Sequence, residues 1–139
     1  MSELTNSYHK LLKMATKMEK LRLVLYWLTS VGAALLFAVP GSALLVKAAH
    51  FVTEMARLGY PNYFLFPFGL LKVVGAVTIL VPDFSRLKEW AYAGMVFDVV
   101  FAAYSRATMN DPLSQVLLPL VIGTLVLTSW ALRPASRKL

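Results

Sequence analysis

The chain has 139 residues, of which 58% are apolar and 15% charged, with a mean hydropathy of +0.64 and a formal net charge of +7. That profile describes one membrane-embedded domain rather than a soluble one. The absence of cysteine excludes disulfides, thiolate metal sites and a Cys-x-x-Cys redox pair. The basic residues flank apolar runs and form no aromatic-interleaved patch, so membrane lipid, not nucleic acid, is the expected partner.

Residues 1–22 form a polar, Lys-rich leader. It lacks the small-residue cleavage site of a signal peptide, so the apolar run that follows is expected to be retained. Leu4, Tyr8, Leu11, Ala15 and Met18 share one helical face, and Lys10, Lys13, Lys17 and Lys20 lie largely off it. This pattern fits either an amphipathic helix on an anionic leaflet or a solvated basic leader. A first span is expected over about residues 23–39, uncharged and just long enough for a hydrocarbon core of about 30 Å, with Pro40-Gly41 breaking or kinking it. An amphipathic helix over about residues 42–58 follows, with Ser42 as N-cap and Gly59 as stop. One stripe of this helix carries Lys47, His50, Glu54 and Arg57. It fits either an interfacial helix or a continuation of the first span whose polar stripe faces the protein.

The second span, about residues 63–81, begins in an aromatic cluster that suits an interfacial belt. A short basic loop, "DFSRLKE", leads to a third span over about residues 90–108, and a fourth follows over about residues 113–132. Residues 133–139 form a basic tail. The expected fold is therefore all-α, a transmembrane four-helix bundle with both termini on one side. That side carries ten basic residues against three on the other, which predicts cytoplasmic termini and a multi-pass protein of the bacterial cytoplasmic (inner) membrane.

Two charged residues interrupt these spans near their middles: Lys72 in the second and Asp98 in the third. Either one unpaired costs about 2.5–3.5 kcal/mol on insertion scales, so antiparallel neighbours should pair them in the bundle interior. Small residues at helical spacing, Gly69 and Ala76 on one helix and Ala91, Gly94 and Ala102 on the other, predict close approach of the two backbones. The pair suits two roles, a register-fixing ion bridge or a polar site for a ligand head group or a proton. Tyr26, Trp27, Thr29, Ser30, Thr78, Tyr92, Tyr104 and Ser105 are candidates for the same interior. His50 with Glu54 at i,i+4 fits a proton shuttle or a solvated pair. Two histidines without metal-ligand spacing, His9 and His50, predict no metal site and no bis-histidine haem.

"RLGYPNYF", leading into the helix with the mid-span lysine, and "RLKEWAYAGMVFD", ending at Asp98, resemble the DoxX-like family of small four-helix bacterial membrane proteins. The resemblance covers about residues 26–134. It implies a compact four-helix bundle in the cytoplasmic membrane. It also implies an association with redox chemistry, because the family is named for a subunit linked to quinone-dependent sulfur oxidation and some relatives act with redox partners. Relatives often carry histidine after the serine near the end of the third helix, where this chain has Ser105-Arg106. The expected function is a redox-associated subunit holding a quinone or similar amphipathic molecule at Lys72 and Asp98, with a redox partner protein supplying electrons. A solute-binding or transport-assisting protein, an assembly partner in a membrane complex or in a homo-oligomer, and a self-contained proton-transfer enzyme are the alternatives.

Overall fold

The structure, a computed structural model, describes residues 1–138, which fold into five α-helices and two 3₁₀ turns. Helix α1 spans Ser2–Leu45, α2 Ala49–Arg57, α3 Leu65–Leu80, α4 Ser85–Thr108 and α5 Leu113–Leu132. The four long helices form a closed ring in the order α1, α3, α4, α5, and α3 against α4 is its thinnest seam. Their shared core gathers Ala33, Phe37, Ala76, Ile79, Met95 and Val126. Outward-facing positions are also apolar, among them Leu35, Leu71, Val77, Phe101 and Val121. A helix hydrophobic on both its inner and outer faces belongs in lipid. Three elements, Glu3–Leu45, Asn62–Leu80 and Leu113–Leu132, are long and apolar enough to cross a membrane. Helix α4 is comparably long at 24 residues, but Arg86, Lys88, Glu89, Asp98 and Arg106 interrupt its apolar surface.

The leader is helical, as the first of its two readings had it, yet it is not a separate element. It runs without a break into the first span and through Pro40, so α1 has 44 residues and a length of about 66 Å. Proline forfeits one backbone hydrogen bond, and a tertiary contact just beyond it holds the helix together. There α1 crosses α3 so closely that a methyl group on Gly41 would lie 3.0 Å from the Gly69 carbonyl oxygen, and one on Gly69 would lie 2.7 Å from the Gly41 oxygen. Glycines at the crossing allow backbone-to-backbone approach.

Ser42 is consequently no N-cap: it lies inside α1, and its hydroxyl donates to the Val39 carbonyl at 2.9 Å. The expected helix over residues 42–58 is split by a turn in which Lys47 has φ +51°. Gly59 does stop α2, at φ +86°, and the Tyr60 N–H reaches back to the Met55 carbonyl at 2.9 Å. That is the bond of a Schellman ending. Helix α4 starts earlier than expected, because Asp83 and Phe84 turn the chain with positive φ and leave Ser85 through Glu89 in the first helical turns. The residues after α5 fold back, with Ala135–Arg137 as a 3₁₀ turn.

Candidate functional site

Lys72 and Asp98 meet as expected: the Lys72 ammonium donates to Asp98 Oδ2 across the α3–α4 seam. Their side chains retain 16% and 13% of their exposure. The ammonium also sits 4.9 Å from the centroid of Phe37 on α1 and 4.8 Å from that of Phe68 on α3. Two aromatic faces and a carboxylate hold the charge in a low-dielectric setting. One of the three Lys72 N–H donors is used in these contacts, and Asp98 Oδ1 takes no part in them.

The small residues around the pair behave differently from expectation. A methyl group on Gly94 would meet nothing within 4 Å, and one on Gly75 would meet only the tip of Met95, at 3.7 Å. Close approach belongs to other seams, Gly41 with Gly69 between α1 and α3, and Gly123 against Val99 between α5 and α4. The α3–α4 seam instead opens into a groove of about 310 Å³ with a mainly apolar lining. Leu71, Val74, Leu87 and Trp90 line it together with Gly94, and it ends on Lys72 and Asp98. Thr78 also lines it, but its hydroxyl donates to the Val74 carbonyl of its own helix.

Tyr26, Ser30 and Tyr92 are buried as expected, though not beside Lys72. They belong to a second polar site at the opposite end of the bundle from α2. Ser129 bonds both Ser30 and the Tyr92 hydroxyl at 2.7 Å, while the Tyr26 hydroxyl accepts from Arg137 at 3.2 Å. Arg137 also donates to the Ile79 and Leu80 carbonyls at the end of α3. Arg133, expected in the basic tail, is 2% exposed. It pairs with Glu89 at 2.6 Å and lies over the Tyr92 and Trp130 rings. Lys88, expected in a loop, is 0% exposed, and its ammonium donates to the Asp83 carbonyl. Both had a sequence signal: Lys88 precedes Tyr92, Met95 and Val99 on the inward face of α4, and Arg133 follows Val126 and Ser129 on that of α5.

Several of the remaining candidates lie near α2. Arg57 donates to both Glu54 and Asp111, and Arg106 to Asp111 and Gln115, which ties α2 to the turn between α4 and α5. Hydrogen bonds from Arg57 are the main cause holding the Glu54 and Asp111 carboxyls below their ordinary range. Glu54 is therefore committed to arginine rather than to His50, which is exposed and packs edge-on against Phe51. Ser105 bonds the Tyr60 hydroxyl at 2.7 Å. Tyr104 is 66% exposed and faces away from the bundle interior, and Trp27 and Thr29 are likewise outside the Lys72 site. Among the described residues, no group of three or more His, Asp or Glu side chains is arranged to hold a metal ion.

These features define an all-helical membrane bundle with a half-buried charged pair lining a groove between α3 and α4. The family model of the DoxX-like family matches residues 28–129, and the chain belongs to that family. No curated protein and no solved structure matches it.

Proposed function

We propose that this membrane protein binds a small amphipathic molecule of the quinone class, which enters from the bilayer between α3 and α4 and sets its polar end against Lys72 and Asp98. In this reading α4 also crosses the membrane, as the third of four spans, the termini are cytoplasmic, and the membrane is the bacterial inner membrane. The observation that carries it is the groove: an apolar, laterally open space of about 310 Å³ that ends on a charged pair. A volume near 300 Å³ is at the small end for ligand sites and suits one ring with part of its tail.

The pair fits such a ligand because each partner keeps hydrogen-bonding capacity. Lys72 supplies N–H donors to a carbonyl oxygen, and Asp98 Oδ1 accepts from a hydroxyl. Phe37 and Phe68 hold the ammonium in place, and the apolar walls limit competition from water. A bound quinone would supply the redox chemistry; this chain would supply binding and a proton-exchanging pair, and a partner protein the electrons. The solute-binding or transport-assisting alternative, in which the Lys47, His50, Glu54 and Arg57 stripe would guide a solute toward Lys72, loses support, since Glu54 and Arg57 are tied into the ion-pair network with Asp111.

Trp90 lines the groove and reports on it. Titrating the detergent-solubilised protein with a short-tailed quinone should give saturable fluorescence quenching that is lost in Trp90→Phe and weakened about tenfold or more in Lys72→Met. Unsaturable quenching, or equal affinity in the Lys72→Met, Asp98→Asn double variant, would overturn the proposal.

A further inference from the structure

The bundle end that holds Lys88, Arg133 and Arg137 carries more buried positive charge than it neutralises. Lys88 is 0% exposed, and the hydrogen bond its ammonium makes goes to a neutral acceptor, the Asp83 carbonyl. Arg133 is 2% exposed, and its Nη1 is buried with no hydrogen-bond partner among the described residues. Among the described residues, Arg137 bonds neutral oxygens, those of Tyr26, Ile79 and Leu80. Lys88 feels the positive charges of both Arg137 and Arg133, while Asp83 is the acid that acts on it. Among the described residues, the one carboxylate bonded to this cluster is that of Glu89, which accepts from Arg133 Nη2 and from the Trp130 indole at 2.8 Å. Buried cations without counter-charge are costly, and unmatched N–H donors add to the cost.

Local backbone does not resolve the imbalance. The carbonyl ends of α3 and α5 face Arg137 and Arg133, but Lys88 stands in the first turn of α4, where the helix dipole repels a cation and attracts an anion. A group able to satisfy the cluster must be negative and must offer several acceptor oxygens, since an ammonium and two guanidiniums are present together. Phosphate-type oxyanions meet both conditions, with arginine supplying directional donors and lysine a compact charge. The cluster also sits where the helices end, at the depth of lipid headgroups in a spanning bundle.

We propose that Lys88, Arg133 and Arg137 form a binding site for one phosphate-type anion, either the headgroup of an anionic lipid or free phosphate, separate from the Lys72–Asp98 groove. The site completes the charge balance of this end and fastens the chain after α5 onto α1, α3 and α4.

Thermal unfolding of the full chain in a neutral detergent tests this in three arms at matched ionic strength: inorganic phosphate, micelles containing phosphatidylglycerol, and micelles containing phosphatidylcholine. The wild type should gain several degrees with phosphate or with phosphatidylglycerol, and not with phosphatidylcholine. A shift with inorganic phosphate identifies free phosphate as a ligand, and one confined to phosphatidylglycerol identifies a headgroup. Lys88→Met should unfold at a higher temperature than wild type without added anion, because it removes an unpaired charge, and should lose the anion-dependent shift. Arg137→Gln, at the half-buried rim, should retain the fold and weaken the anion's effect about tenfold in concentration, and it decides the matter alone if Lys88→Met does not fold. No shift in either anionic arm, an equal shift with phosphatidylcholine, or a full shift retained in the folded variants would overturn the proposal.

Discussion

The two ends of this bundle use arginine in opposite ways. Near α2, Arg57 and Arg106 face Glu54 and Asp111, and each guanidinium finds a carboxylate. At the other end Lys88, Arg133 and Arg137 have, among the described residues, one bonded carboxylate between them, that of Glu89. A balanced cluster is complete and serves as a clamp between elements. An unbalanced one is where the proposed phosphate-type anion would complete the charge. The Lys72–Asp98 pair combines both traits, being neutral as a whole yet open to a groove.

The most damaging way to break this contrast is to unbalance a balanced site. Asp98→Asn should cost about 3–5 kcal/mol by leaving the Lys72 ammonium buried without its carboxylate. The double variant with Lys72→Met should recover most of that loss in denaturant or thermal unfolding; equal instability of the single and double variants would refute the charge-balance explanation. Packing provides the next test. Gly69→Ala should cost about 1–3 kcal/mol, because the added methyl would lie 2.7 Å from the Gly41 oxygen. Gly94→Ala should instead stabilise by roughly 0.5–1 kcal/mol, as expected for a helical glycine with open space at its side.

Acid should act on the α2 end more gently. Glu54 and Asp111 have lowered pKa values in the folded protein, chiefly through hydrogen bonds from Arg57. Their stabilisation is fully present above the ordinary carboxylate range and is lost as pH falls through the lowered values. Arg57→Gln should flatten that acid arm in a melting-temperature profile. The smallest effect is expected at Tyr104, where replacement by Phe should stay within about 0.5 kcal/mol, given its 66% exposure.

The architecture was legible because hydropathy runs and turn residues act locally. The Gly59 stop, the extent of α5 and the pairing of two mid-span charges all followed from spacing. Of the readings open at Pro40, the break does not occur: the local tendency of proline to end a helix is outweighed where the Gly41–Gly69 crossing, between residues 28 positions apart, packs α1 on α3. Small-residue stripes misled in the other direction: glycine permits close approach and equally permits a vacancy, and only the partner helix decides. Lys88 falls in the expected basic loop and Arg133 in the expected basic tail, although continuing the inward periodicity of α4 and α5 by one turn places both inside.

The claim that matters most for function is that the open α3–α4 seam is a ligand site, and Gly94 allows it to be closed without disturbing the pair. Native mass spectrometry of wild type and Gly94→Leu, both extracted in mild detergent, tests this directly and also counts subunits. One small amphipathic molecule bound to wild type and absent from a folded Gly94→Leu protein is the predicted result. Wild type without such a molecule, or the same molecule retained when the groove is filled, would contradict it.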